Sequence, residues 1–282
     1  MDAAKAVACF FKAGELGEKN ALFNLGVCYS QGIGVEEDLV KAFENFKKSA
    51  DLKDMKAELQ VGICYMVGKG TEVDEEQAVA YFRRAAEQGD ATAQYNMGVC
   101  NGKGRGVKKS LEEAARWYRK AAEQGDSMAQ FRLALCLATG KGVAKDFPEA
   151  IRWYEKAAEQ EHGGALFNLG VCYAQGDGVE QDHTKAVSYY RKAADLGVVH
   201  AQHNLGLCLL TGQGAEPSPE EALLWYLKAA KQGDAKAQFA AGVCYESGQG
   251  VDKDVDMAMS LYEQAVKAGN AKAMRLRIQK RE

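Results

Sequence analysis

Proline is nearly absent from this sequence: three residues in 282, against 30 glycines. That ratio excludes collagen-like and proline-rich linker segments, and glycine so frequent without proline signals a tight turn used repeatedly. Long apolar runs are missing as well, so no stretch approaches the roughly 20 residues that a membrane-spanning helix needs. The opening residues, Met1 to Phe10, lack the basic start, apolar core and cleavage site of a secretory signal. No charge sign dominates either: 36 Lys and Arg face 39 Asp and Glu, a formal net charge of −3. A balance so close to neutral gives no general attraction for nucleic acid or anionic lipid. The expectation is a soluble, cytoplasmic chain that contacts neither nucleic acid nor the membrane interior.

What is present is a period. Seven of the eight cysteines (Cys28, Cys64, Cys100, Cys136, Cys172, Cys208 and Cys244) stand 36 residues apart. The same step relates Gly26, Gly62, Gly98, Gly170, Gly206 and Gly242, with Ala134 in the one gap. A Gly-x-Gly pair follows each time, from Gly32/Gly34 to Gly248/Gly250. Self-similarity at one fixed step marks a repeat architecture in which each copy is one supersecondary element.

Each repeat reads as two helices. The first, as in Ala21-Leu22-Phe23-Asn24-Leu25-Gly26-Val27-Cys28-Tyr29, places apolar residues at helical spacing. A glycine inside a helix costs about 1 kcal/mol against alanine, so Gly26 and its counterparts predict close approach of a second helix. The Gly-x-Gly pair supplies positive φ for a turn. Asp38, Asp74, Ser110, Asp146, Asp182, Ser218 and Asp254 then occupy N-cap positions. Gln77, Glu113, Glu149 and Glu221, three residues beyond, are placed to complete capping boxes. On the second helix a fixed alanine, such as Ala42, is followed four residues later by an aromatic: Phe46, Phe82, Tyr118, Tyr154, Tyr190, Tyr226 and Tyr262. Small then large at i, i+4 marks one packed face.

No such helix pair can bury its apolar face alone, so neighbours must stack. The expected fold is all-α, an α-solenoid of antiparallel helix pairs. Seven full repeats fall at 19–54, 55–90, 91–126, 127–162, 163–198, 199–234 and 235–270. Residues 1–18 match the second helix of a truncated preceding repeat, and residues 271–282 match a first helix that would cap the array. Phe10 and Phe11 would be partly uncovered at the N-terminal end, so self-association there is one expectation.

The unit Ala-x3-Leu-Gly-x2-Tyr-x2-Gly-x-Gly-Val-x2-Asp-x3-Ala-x2-[Trp/Tyr]-Tyr-x-Lys-Ala-Ala-x2-Gly resembles the Sel-1-like repeat, a relative of the tetratricopeptide repeat. The stretch from Ala165 to Gly197 follows it closely, and the likeness covers essentially the whole chain. Departures are local: Asn101, Leu137 and Leu209 replace the Tyr, Thr71 and Ala215 the Val, and Glu161 a late Gly. The resemblance implies a right-handed solenoid acting as a non-catalytic scaffold or adaptor for protein or peptide partners, without a cofactor. It also implies an alternative, because a cysteine-rich bacterial branch has been linked to penicillin binding. That branch carries paired cysteines within a repeat, where this chain has one. A regulatory segment of a longer protein is a third reading.

Each candidate for chemistry has a plainer explanation beside it. Equivalent cysteines on stacked helices would lie on the order of 10 Å apart, beyond disulfide reach, which makes them small buried hydrophobes. His200 and His203 form only half of a metal site, so no metal is expected. The glycine turns follow no strand and lack the Gly-Lys-Ser/Thr of a phosphate loop, and no nucleophile–base pair can be nominated as catalytic. One stripe on the first helices stands out: Phe23, Leu59, Tyr95, Phe131, Phe167, His203 and Phe239, beside Asn24, Asn96, Arg132, Asn168 and Asn204. By analogy with tetratricopeptide arrays this position faces the concave groove, where aromatics and amides would hold an extended or helical peptide. The competing reading is that the aromatics only pack between repeats.

Overall fold

A computed structural model of the chain describes residues 3–271 and 273. Among them are fifteen α-helices and no strand. After α1 (Ala3–Glu15), the first helices of successive repeats are α2 (Lys19–Gln31), α4 (Met55–Val67), α6 (Ala91–Lys103), α8 (Ser127–Thr139), α10 (Gly163–Gln175), α12 (Val199–Thr211) and α14 (Ala235–Ser247). The second helices are α3 (Leu39–Asp51), α5 (Glu75–Glu87), α7 (Leu111–Glu123), α9 (Phe147–Glu159), α11 (His183–Asp195), α13 (Pro219–Lys231) and α15 (Val255–Lys267). The chain divides into two compact units, Met1–Lys145 with α1 to α8 and Asp146–Glu282 with α9 to α15. Inside each unit every helix packs on its neighbours in chain order, as a solenoid requires. The C-terminal cap expected at 271–282 lies outside the described residues, apart from 271 and 273.

The helix-interior glycines are slots for aromatic rings. A Cβ on Gly26 would sit 2.5 Å from the Phe46 ring, and one on Gly206 would sit 2.8 Å from the Tyr226 ring. Phe46, Phe82, Tyr118, Tyr190, Tyr226 and Tyr262 are all buried, so the fixed alanine, the ring and the glycine form one repeated contact between first and second helix.

The two turn glycines do different work. Gly104, the first of its pair, ends α6 in the left-handed region (φ 75, ψ 37) and donates its N–H to Cys100 O. The second is set by stacking as well: a Cβ on Gly106 would overlap the Glu75 carbonyl at the start of the preceding second helix. Gly70 meets Leu39, and Gly142 meets Leu111, in the same manner. One repeat's turn therefore rests directly on backbone of the repeat before it.

The second helices start on side-chain caps, with two corrections to the expected pattern. The side chains of Asp38, Asp74, Ser110, Asp146, Asp182 and Asp254 accept the N–H three residues on. Ser218 makes no such bond, and α13 opens instead on Pro219. The reciprocal half of the capping box is taken by other bonds. Where it would close, the N-cap N–H already donates to the preceding first helix: Asp74 to Tyr65 O at 3.0 Å, Ser110 to Asn101 O at 2.9 Å, Ser218 to Leu209 O at 2.8 Å. The Glu221 carboxylate accepts from Trp225 Nε1 at 3.1 Å on its own helix and from Arg191 on α11, and Glu149 accepts from Trp153 Nε1 at 3.2 Å.

Candidate functional site

In the unit Met1–Lys145, the Phe23 ring lies 5.5 Å from Phe46 and the Tyr95 ring 5.9 Å from Tyr118. Leu59 at the same position is buried, and Phe131 is half-buried with the Arg132 guanidinium 6.0 Å from its ring centre. In the unit Asp146–Glu282, Phe167 lies 6.0 Å from Tyr190, His203 5.8 Å from Tyr226 and Phe239 5.4 Å from Tyr262. These five stripe rings each lean on the buried aromatic of their own repeat, while the stripe residue itself stays half-exposed. Packing and exposure thus coexist at one position; the packing is mainly on the same repeat, and Phe167 also lies 6.0 Å from the His200 ring of the next one.

The amides beside the stripe brace the repeat before. Asn168 Nδ2 donates to Tyr154 Oη at 3.1 Å, and Asn204 is hydrogen-bonded to Tyr190, whose hydroxyl burial pushes up to about 12. Asn24 and Asn96 follow second helices that carry Phe10 and Phe82, which offer no hydroxyl. Arg132 occupies the equivalent place beside Tyr118, and its Nε is buried with no hydrogen-bond partner.

The remaining sequence candidates do not converge. His203 Nδ1 lies 3.3 Å from Asn204 Oδ1, whereas His200 Nδ1 lies 3.8 Å from Asp234. Among the described residues no group of three His, Cys, Asp and Glu side chains is placed to hold a metal ion. All eight cysteines are free thiols; Cys28, Cys64, Cys100, Cys172 and Cys244 are buried, Cys136 and Cys208 half-buried. Burial pushes the Cys100 and Cys172 thiols up to about 11, so the nucleophilic thiolate is suppressed there. On α1, Phe10 packs against the cluster of Val7, Leu25 and Cys28, and Phe11 is 51% exposed. Among the described residues no helix is long and apolar enough to cross a membrane.

One feature escaped sequence reasoning: a buried polar ladder one residue before the stripe. Gln94 Nε2 donates to Ala86 O at 3.1 Å, and its Oε1 accepts from Gln124 Nε2 at 2.8 Å. Gln202 repeats this with Ala194 O at 3.2 Å and Gln232 at 2.9 Å. Glu58, 1% exposed, accepts from Arg84 Nε at 2.8 Å and Gln88 Nε2 at 2.5 Å. Desolvation raises its pKa in spite of the Arg84 charge, which acts the other way. The available signal was an offset of 30: polar Glu58, Gln94 and Gln202 go with Gln88, Gln124 and Gln232, whereas Leu22 and Leu166 go with Leu52 and Leu196.

A stack of 36-residue helix pairs, locked by a glycine slot and a turn seated on the preceding repeat, defines a helix-pair α-solenoid. The Sel1 repeat pattern matches residues 2–18, 19–54, 56–90, 91–126, 127–162, 164–198, 199–234 and 235–270. The chain belongs to the Sel1 repeat family. Among solved structures it is similar to c5321, a protective antigen present in uropathogenic Escherichia coli strains, with a TM-score of 0.91 and 33% identity. That match covers 95% of this chain and 57% of the antigen, so this chain spans a little over half of its length. A Sel1 repeat protein from Oxalobacter formigenes aligns with a TM-score of 0.80 and 31% identity, over 97% of this chain and 79% of that one. No curated protein matches at a significant level.

Proposed function

We propose that this chain is a non-catalytic scaffold or adaptor that binds protein or peptide segments on the face formed by the first helices of each compact unit. The supporting observation is the half-exposed stripe, Phe23, Tyr95 and Phe131 in one unit and Phe167, His203 and Phe239 in the other. A ring fixed by a buried partner loses little side-chain freedom on binding, which suits a recognition anchor. The amides and Arg132 beside it supply polar contacts.

The test is affinity capture from a native extract, with the unaltered chain beside a Phe131→Leu/Phe167→Leu variant. Leucine occurs naturally at position 59, so the substitution keeps apolar packing while removing the rings. Partners lost in a variant that unfolds in urea like the parent support the reading. Unchanged capture, or loss that tracks a fall in stability, counts against it. A second reading, self-association through α1, is favoured by exposed Phe11. Sedimentation of Phe11→Asp at several concentrations decides it, since a parent that stays monomeric removes the idea.

A further inference from the structure

Three basic side chains gather at one cleft in the unit Met1–Lys145, and no acidic residue lines it. The cleft, about 240 Å³, lies among α6, α7 and α8, with buried Tyr118 and half-buried Leu135 as apolar lining and Lys103, Arg132 and Lys141 as the cations. Two local breaks in the repeat create it. Gly102 stands where other repeats carry Ser30, Met66, Ala138, Ala174, Leu210 and Glu246. A Cβ there would make ordinary contact at 3.6 Å with the Ala114 Cβ, so the missing side chain leaves the space open. Arg132 stands where Asn24, Asn96, Asn168 and Asn204 stand elsewhere.

Its Nε is buried and lacks a hydrogen-bond partner, and none of the three cations forms an ion pair among the described residues. A half-buried guanidinium that lines the cleft without a counter-ion attracts a carboxylate, and the apolar lining accepts the hydrocarbon next to it.

We propose that this cleft is a subsite for an acidic side chain of a partner peptide, with the carboxylate on Arg132 and an adjoining apolar side chain against Tyr118 and Leu135. Lys103 and Lys141 add attraction at its exposed edge. The inference rests on the scaffold reading and names the chemistry of the segment bound.

The experiment is titration of the full ¹⁵N-labelled chain with N-acetyl-Leu-Glu-Leu-amide, and with the Gln peptide as control. Saturable amide shifts at Gly102, Leu135 and Thr139 are expected for the Glu peptide. The Gln peptide should bind at least about tenfold more weakly, as loss of a charge-assisted hydrogen bond predicts. Arg132→Asn should weaken the Glu peptide to a similar degree. Gly102→Leu should do so as well, since it fills the cleft and leaves every cation in place. Asn168 and Leu210 occupy these two positions in sibling repeats, so both variants keep the fold, which the amide spectrum verifies. Equal response to both peptides, no saturable shift at Gly102, or indifference to Gly102→Leu overturns the subsite. If the subsite fails while Phe131→Leu/Phe167→Leu still loses captured partners, the scaffold reading stands without it; if both fail, that reading falls too.

Discussion

Gln238 offers a direct measure of what the buried ladder contributes. Its Nε2 donates to Ala230 O at 3.3 Å, but its buried Oε1 has no partner. In sibling repeats that oxygen accepts from Gln124 or Gln232, the residue 30 positions on. Here that residue is Ala268, with φ −83 and ψ 7, against −85 and 5 at Gln232 and −85 and 0 at Gln124. Ala268→Gln therefore needs no backbone adjustment to place an amide on Gln238. A buried carbonyl left without a donor costs about 1–3 kcal/mol. Ordering the new side chain takes back up to about 2 kcal/mol, less for one that stays partly exposed. The net gain expected is about 1 kcal/mol. Repeat arrays open locally, so hydrogen exchange over α14 and α15 is the sharper assay, with urea unfolding beside it. The control is a double-mutant cycle with Gln238→Leu, the residue found at Leu22 and Leu166. In that background Ala268→Gln should gain nothing. A gain that persists there would refute the hydrogen-bond account and assign the effect to the helix end.

Four further outcomes follow from the same packing. Burial raises the Glu58 pKa above its unfolded value, so the native state holds that proton to higher pH and stability falls as pH rises through the carboxylate range. Glu58→Gln should remove that dependence, so urea melts of the variant should change less with pH across the carboxylate range than those of the parent. Exposed Cys9 should react with iodoacetamide in the native chain, whereas Cys100 and Cys172, pushed up to about 11, should react only on unfolding. Those thiols and Tyr190, at about 12, ionise sooner in the unfolded chain, so stability should fall progressively above about pH 9. In α6, Gly98→Ala drives a methyl into the Tyr118 ring and should cost about 1–3 kcal/mol. Gly102→Ala, one turn on, has room and should gain about 1 kcal/mol in helix propensity, which thermal melts will separate.

The period made the fold legible, because six copies of one glycine and seven of one alanine and one ring leave little to chance. Gly26 and Phe46 could be matched in sequence since both recur, and their contact follows from size alone. The second turn glycine was read only as a bend, because the carbonyl it rests on belongs to another repeat. The capping boxes failed for a related reason: Asp74 N–H was already committed to Tyr65 O, a bond no local motif announces. The polar ladder was hidden because Gln94 alone looks like an unremarked polar residue on an apolar helix. Only its joint variation with position 124 exposes it. The stripe left two readings open, and Phe23 and Phe167 show why: ring packing, on their own repeat and for Phe167 also on His200 of the next, and partial exposure are not exclusive.

That difference bears on where function resides in such a chain. Residues that recur every 36 positions give each repeat the same contacts, so under the scaffold reading the recurring stripe supplies only a general anchor. Discrimination between partners would then call for departures that the stack tolerates. Leu137 and Leu209 replace a tyrosine and are simply buried, so they add nothing to the surface. Gly102 and Arg132 differ: one removes volume where every sibling repeat has a side chain, and the other leaves a charged donor unsatisfied. The two line one cleft, Gly102 leaving its space open and Arg132 placing a cation in its wall, and a departure of that kind can discriminate between partners.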